Sequence, residues 1–155
     1  GTTPVDILPR HLGHEQRSAT LLQHLCQRLR VPTVCRELAE VVAREHSNIH
    51  RASGLSAAAL VRLLERCDAL RKPERFSQIL LACECDARGR LGYFDSSYPQ
   101  GPHLQAALAA ARSIDTAQIA AHAMAGGAKG TQIAEIMHAA RVAAVASALT
   151  LPQNA

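Results

Sequence analysis

Apolar residues recur at three- and four-residue intervals through most of the chain, and no strand-like alternation runs for more than a few positions. That periodicity puts a stripe on one face of a helix and cannot form a half-buried strand, so an all-α fold is expected. Aromatic residues are only 3% of the sequence and Trp is absent, so the core must come from Leu, Ala, Val and Ile. Ala, Leu and Arg lose little side-chain freedom in a helix, which agrees with the periodicity.

Punctuation divides the pattern. Residues 1–12 contain Pro4 and Pro9 without helical period and read as an extended lead-in. A first helix is expected from about His14 to Leu29, with Ala19, Leu22, Leu25, Cys26 and Leu29 on its inner stripe. Thr33 is a plausible N-cap for a second helix to about His50, with Val34, Leu38, Val41, Val42 and Glu45 inward. Ser56 can cap a third helix through Leu70. Pro73 suits the first turn of a fourth, which ends near Arg88 with Phe76, Ile79, Leu80 and Cys83 inward. Residues 89–102 form the longest irregular stretch, marked by Gly89, Gly92, Pro99, Gly101 and Pro102. A division into 1–90 and 91–155 is expected there. Three further helices are expected, over about 102–112, 116–125 and 131–149.

We find no apolar stretch of 18 residues and expect no membrane-spanning helix. No basic segment leads into an apolar one at the start, so no secretion signal is read. The chain opens at Gly1 without Met and reads as a piece of something longer. Cys26, Cys35, Cys67, Cys83 and Cys85 are odd in number and form no CxxC pair. They read as free, mostly buried thiols of a reducing compartment, the cytoplasm, and not as a zinc site. A net charge of +4 and a pI near 9.0 raise the odds of a polyanionic partner without identifying one.

Three groups could carry chemistry. His11 and His14 stand at the start of the first helix, and His46 and His50 are four apart at the end of the second. Spacing of four puts both imidazoles on one face, within reach of one ion or phosphate, although two such histidines are commonly just solvated. Asp68, Glu84 and Asp86 lie at helix ends beside arginines. They could complete a metal shell or orient a histidine, and Asp68 could equally pair with a neighbouring Arg. Gly126 to Thr131 is a glycine-rich loop with Lys129 opening a helix. Backbone N–H groups there suit an anion, yet the pattern matches no known phosphate loop, and a plain turn is the simpler reading.

Several strings then occur in a recognisable order: Leu8-Pro9-Arg10-His11-x-Gly13-His14, Cys26-Gln-Arg-Leu-Arg-Val-Pro32, Arg71-Lys-Pro-Glu74, Asp86-Ala-Arg-Gly-Arg90, Tyr98-Pro-Gln-Gly101, Lys129-Gly130-x-x-Ile133 and Arg141-x-Ala143-Ala-Val145. Together they resemble the C-terminal part of bacterial multifunctional CCA-adding tRNA nucleotidyltransferases, over residues 2 to 149. The resemblance implies a remnant of a helical HD-type phosphohydrolase domain followed by a tRNA-binding tail. In the family, that domain acts on 2′,3′-cyclic phosphates, 2′-nucleotides and phosphate esters.

The resemblance further implies that His14 and His46 are catalytic, and that His14, His46 and His50 match metal-ligand positions. A fifth ligand would be Asp68 or Asp86. The metal would be nickel or another divalent transition metal, with magnesium in a nucleotidyltransferase head that this chain lacks. Arg88, Arg90, Lys129 and Arg141 become candidates for tRNA phosphates, and partners would be tRNA, the N-terminal portion of the same protein and a second copy in a homodimer. The family's His-Asp doublet is missing, as is the first helix of the HD domain, so the chain alone is expected to hydrolyse nothing and to add no nucleotides. The alternative is an unrelated helical module that binds nucleic acid or protein without catalysis.

Overall fold

The computed structural model describes Val5 and residues 13–150. The expected lead-in, with His11, otherwise lies outside the described residues. Seven α-helices follow one another, α1 (His14–Leu29), α2 (Thr33–His50), α3 (Ala57–Arg66), α4 (Pro73–Arg88), α5 (Gln100–Arg112), α6 (Thr116–Ala125) and α7 (Thr131–Thr150), with no strand among the described residues. The all-α expectation holds.

Local signals account for most of the boundaries. Ser56 Oγ accepts the Ala59 N–H at 3.3 Å and starts α3, while Asp115 Oδ1 accepts the Gln118 N–H at 2.9 Å and starts α6. Pro73 opens α4, where its missing N–H costs nothing. Three expectations need correction. Thr33 does not cap α2; Pro32 occupies that position in extended geometry, and Thr33 is already helical with no side-chain cap bond. The third helix stops at Arg66, short of Leu70, because Asp68 takes a left-handed conformation (φ 55°). The Ala69 N–H then closes back onto the Leu64 carbonyl at 2.9 Å. Such a conformation is uncommon for a residue with a Cβ, and Asp tolerates it better than most. Arg71 grips the Asp68 carboxylate at 2.6 and 2.8 Å and helps to hold it. Finally, α5 begins two residues early, at Gln100, whose side-chain amide donates to the His50 carbonyl at 3.1 Å.

One core runs through the structure. Ile49 of α2, Leu60, Leu63 and Leu64 of α3, Phe76 and Ile79 of α4, Leu104 of α5 and Val145 of α7 are completely buried in a single cluster. Burying each such side chain stabilises the fold by about 1.5–3 kcal/mol. The cluster crosses residue 90 without interruption, with α5 packing on α3, α4 and α7.

The periphery is thinner. Helix α1 packs chiefly on α2, so only Ala19 and Cys26 of its expected stripe are buried, and Leu25 and Leu29 keep 42% and 60% of their surface. The reading of membrane-length helices is also corrected. Helix α7 has 20 residues and contains an 18-residue window of mean hydropathy 1.3, long and apolar enough to cross a membrane. Here its Val145 enters the core, Val142 and Leu149 pack against it, and His138 and Arg141 face Glu65 of α3. That arrangement is one of a helix packed on α3, α5 and α6.

All five cysteines are free; Cys26, Cys67 and Cys83 are buried and Cys35 and Cys85 exposed. Burial pushes the thiols of Cys67 and Cys83 up to about 12, because an apolar surrounding penalises the thiolate. Since the folded state holds these protons more tightly than the unfolded state, their contribution is fully present below pH 9. It is lost as pH rises from 9 toward 12. Urea unfolding at about pH 8 and about pH 10.5, either side of the unfolded thiol value, should show a fall in stability. That fall should shrink in the double variant Cys67→Ala/Cys83→Ala.

Candidate functional site

The end of α2 meets the start of α1 and the end of α4, and four titratable side chains line up there. Crossing of α1 and α2 brings the Nε2 atoms of His14 and His46 to 3.0 Å, although 32 positions separate them in sequence. His46 Nδ1 lies 3.1 Å from the Val42 carbonyl, which can only accept. His46 therefore carries its proton on Nδ1, and its Nε2 lone pair faces His14. The next ring along α2 is His50, with its centroid 5.9 Å from that of His46 in an edge-on arrangement.

His50 has partners on both nitrogens. Its Nε2 lies 3.0 Å from Asp86 Oδ2, and its Nδ1 lies 2.9 Å from the Tyr98 hydroxyl. The carboxylate accepts from Nε2, so in the neutral ring Nδ1 accepts from the phenol. Burial, reinforced by nearby acidic groups, raises the Tyr98 pKa and keeps this phenol protonated as the donor. His50 thus continues the row His14–His46–His50, but both of its nitrogens are committed to Asp86 and Tyr98.

Sequence reasoning does not single out three neighbours of the row. The Ser47 hydroxyl donates to Glu15 Oε1 at 2.8 Å, and Glu15 Oε2 lies 3.5 Å from His14 Nδ1. Hydrogen bonds from the backbone and from Ser47 hold the Glu15 carboxyl below its ordinary range, with His14 and His46 adding to the effect. Position beside His14 is the available signal for Glu15. Ser47 carries none, since its role depends on how α1 crosses α2. Likewise Tyr98 belongs to one of the ordered strings without any role that sequence could give it.

The two carboxylates considered as further ligands are separated by function. Asp86 binds His50 and lies 3.9 Å from Arg90. Asp68 instead belongs to a network with Arg71 and Arg75, the latter also reaching Glu37, and Arg71 above all holds its carboxyl below the usual range. Among the described residues, no group of three His, Cys, Asp or Glu side chains converges as a metal site. Within that set, His14 Nε2 donates to His46 Nε2, which places two imidazole nitrogens 3.0 Å apart.

The four candidate phosphate contacts do not form one patch of equal character. Arg88, at the end of α4, pairs with Glu84 at 2.9 Å and reaches the Ser96 carbonyl. Arg90 is more open. Lys129 is exposed in the loop before α7, where its backbone N–H donates to the side chain of Gln132 in the first turn of α7 at 3.2 Å, so a side chain of the helix takes the place an anion would occupy. Arg141 keeps only 22% of its side-chain surface and faces Glu65 at 3.8 Å, less accessible than expected for a phosphate contact.

No family model matches the chain, and no solved structure does. Curated relatives do match. The chain is 68% identical over 145 residues to a multifunctional CCA protein of Paracidovorax citrulli, covering 94% of this chain and 35% of that protein. Its identity to the protein of the same name from Acidovorax sp. is 66% over 146 residues, covering 94% and 34% respectively. With that of Cupriavidus metallidurans it is 62% over 154 residues, covering 99% and 36%. The chain spans about a third of the length of the curated relatives it matches.

The lowered Glu15 carboxyl yields a direct check of this geometry. The stabilisation it carries is present above about pH 4.5 and is lost as pH falls through the depressed value. Carboxyl-carbon NMR should show Glu15 titrating below 4.5, and Ser47→Ala should move it upward.

Proposed function

We propose that the chain, 62–68% identical to multifunctional CCA proteins over about a third of their length, is the C-terminal portion of such an enzyme. Residues 1–90 then belong to an HD-type phosphohydrolase domain and residues 91–155 to a tRNA-binding tail. The single observation that carries the phosphohydrolase reading is the convergence of His14 Nε2 and His46 Nε2, 3.0 Å apart, with the His46 proton held away on the Val42 carbonyl. Two imidazole nitrogens this close suit a divalent transition metal that displaces the proton His14 Nε2 donates to the His46 lone pair. The backbone carbonyl fixes the tautomer that such a ligand needs.

Two nitrogens are an incomplete shell, so further ligands would have to come from outside the described residues. A divalent metal held there would supply an activated water for attack on a phosphate ester. The chain's own residues do the rest. His14 and His46 offer the ligand nitrogens, and Glu15, held ionised by Ser47, sets a negative charge beside His14. His50, anchored by Asp86 and Tyr98, walls the site and orients what lies next to it. Arg88, Arg90, Lys129 and, less openly, Arg141 contact tRNA phosphates, with affinity that falls as salt rises.

The longer protein would build the 3′ end of tRNA through a magnesium-dependent head, in the cytoplasm, and would pair as a homodimer. The chain by itself is inactive in both reactions. The test is hydrolysis of 2′,3′-cyclic AMP with added nickel. The longer protein should hydrolyse it, His46→Ala should lower kcat/KM by about 100-fold or more, an expectation scaled from the effect of disturbing metal shells, and residues 1–155 alone should do nothing. Undiminished hydrolysis by His46→Ala would exclude the assignment.

A further inference from the structure

Aromatic side chains are scarce here, and their distribution is uneven. Of the four in the sequence, Phe76 is in the core, and Tyr93, Phe94 and Tyr98 fall within six consecutive positions. Two of those are spent on the surface, with Tyr93 57% and Phe94 79% exposed. They sit on the segment between α4 and α5, which turns at Gly92 (φ 85°) and is tied down by Ser96, whose hydroxyl donates to the Tyr93 carbonyl at 2.7 Å. Arg88 Nε donates to the Ser96 carbonyl at 3.2 Å and secures the same loop to α4.

Tyr93, next to the exposed Phe94 in sequence, lines a cleft of about 290 Å³ together with His50, Arg90, Ser97, Tyr98 and Gln100. A flat apolar patch would suit a protein partner, whereas an aromatic ring beside hydroxyl, amide and guanidinium groups suits a nucleoside, with its π-face and polar edges. The local charge is mixed, since Glu84 and Asp86 balance Arg88 and Arg90 and Asp95 adds another carboxylate, so stacking and not attraction to phosphate has to select the ligand. The cleft is continuous with the histidine row, because His50 belongs to both.

We propose that this cleft is the base subsite for an unpaired nucleotide at the end of an RNA, stacked on Tyr93 beside the exposed Phe94, with Arg90 beside its phosphate and the ester directed along His50 toward His46 and His14. This extends the phosphohydrolase reading and rests on it for the direction of the ester, while the stacking does not need a metal.

The probes are two hairpin RNAs, one blunt and one with a short unpaired 3′ tail, titrated by fluorescence anisotropy against the 155-residue chain in EDTA. The tail should tighten binding about tenfold, within the range that base–aromatic stacking supplies. Tyr93→Leu/Phe94→Leu should remove that preference without changing affinity for the blunt hairpin. Tyr93→Phe should retain the preference, and Arg90→Gln should make binding less salt-dependent. Both aromatic positions are exposed, and unchanged thermal melting of the variants confirms that folding is intact. Equal affinity for the two hairpins, or a preference that survives in the double Leu variant, overturns the proposal. A patch that serves a protein partner would give that result. Loss of cyclic-phosphate hydrolysis in the longer protein is read separately, so a tail preference without hydrolysis keeps the base subsite and removes the metal centre.

Discussion

The contact of α2 with both α1 and α4 is the constraint on which the rest of the site depends. Helix α2 has to bury Ile49 in the shared core and lay Leu38, Val41 and Val42 against it. That leaves His46 facing α1 and His50 facing the end of α4. Because the interior is close-packed, the rotation of α2 is not free to drift, and the two imidazoles inherit their directions from the apolar face. Glu45 makes the same point on the third side of the helix, since its carboxylate is only 12% exposed and is held by Arg66 of α3 at 2.8 and 3.0 Å. An inward carboxylate of this kind is tolerable only with a charged partner in good geometry.

A second consequence is an asymmetry of support. The α2–α4–α5 side of the histidine row is backed by the core and by the Gln100–His50 carbonyl bond. The α1 side is backed mainly by α2 itself. Half of the proposed ligand pair therefore stands on a well-buttressed helix and half on one with much of its apolar stripe uncovered. The loop over the cleft belongs to the supported side, held by Arg88 and Ser96, and that gives a base subsite a firm platform.

Much of the fold is legible in the sequence. Helical periodicity with Gly and Pro punctuation locates every helix, because those signals act within a few residues of where they are read. The ends of α4 and α6 and the capping role of Ser56 all follow from neighbours alone. The helix ends that depart from the local pattern involve longer reach. Asp68 stops α3 in a left-handed conformation that Arg71 and Arg75 secure, and Gln100 extends α5 backward by bonding to residue 50. Helix α7 escapes a search for unbroken apolar runs because Glu135 and Arg141 interrupt it without lowering its average hydropathy enough.

For the site, the sequence by itself determined that His46 and His50 share a helix face, that His14 stands near a helix start, and that the ordered strings resemble those of one family. Spacing of four along a helix is a local geometric fact, and ordered strings are preserved in any fold. Only the tertiary structure decided that His14 and His46 meet at 3.0 Å, that His50 turns both nitrogens to Asp86 and Tyr98, that Asp68 belongs elsewhere, and that Tyr93 lines a cleft shared with His50. Each of those depends on which faces of distant helices pack together. That choice is made by summed burial over the whole core, which no window of sequence contains.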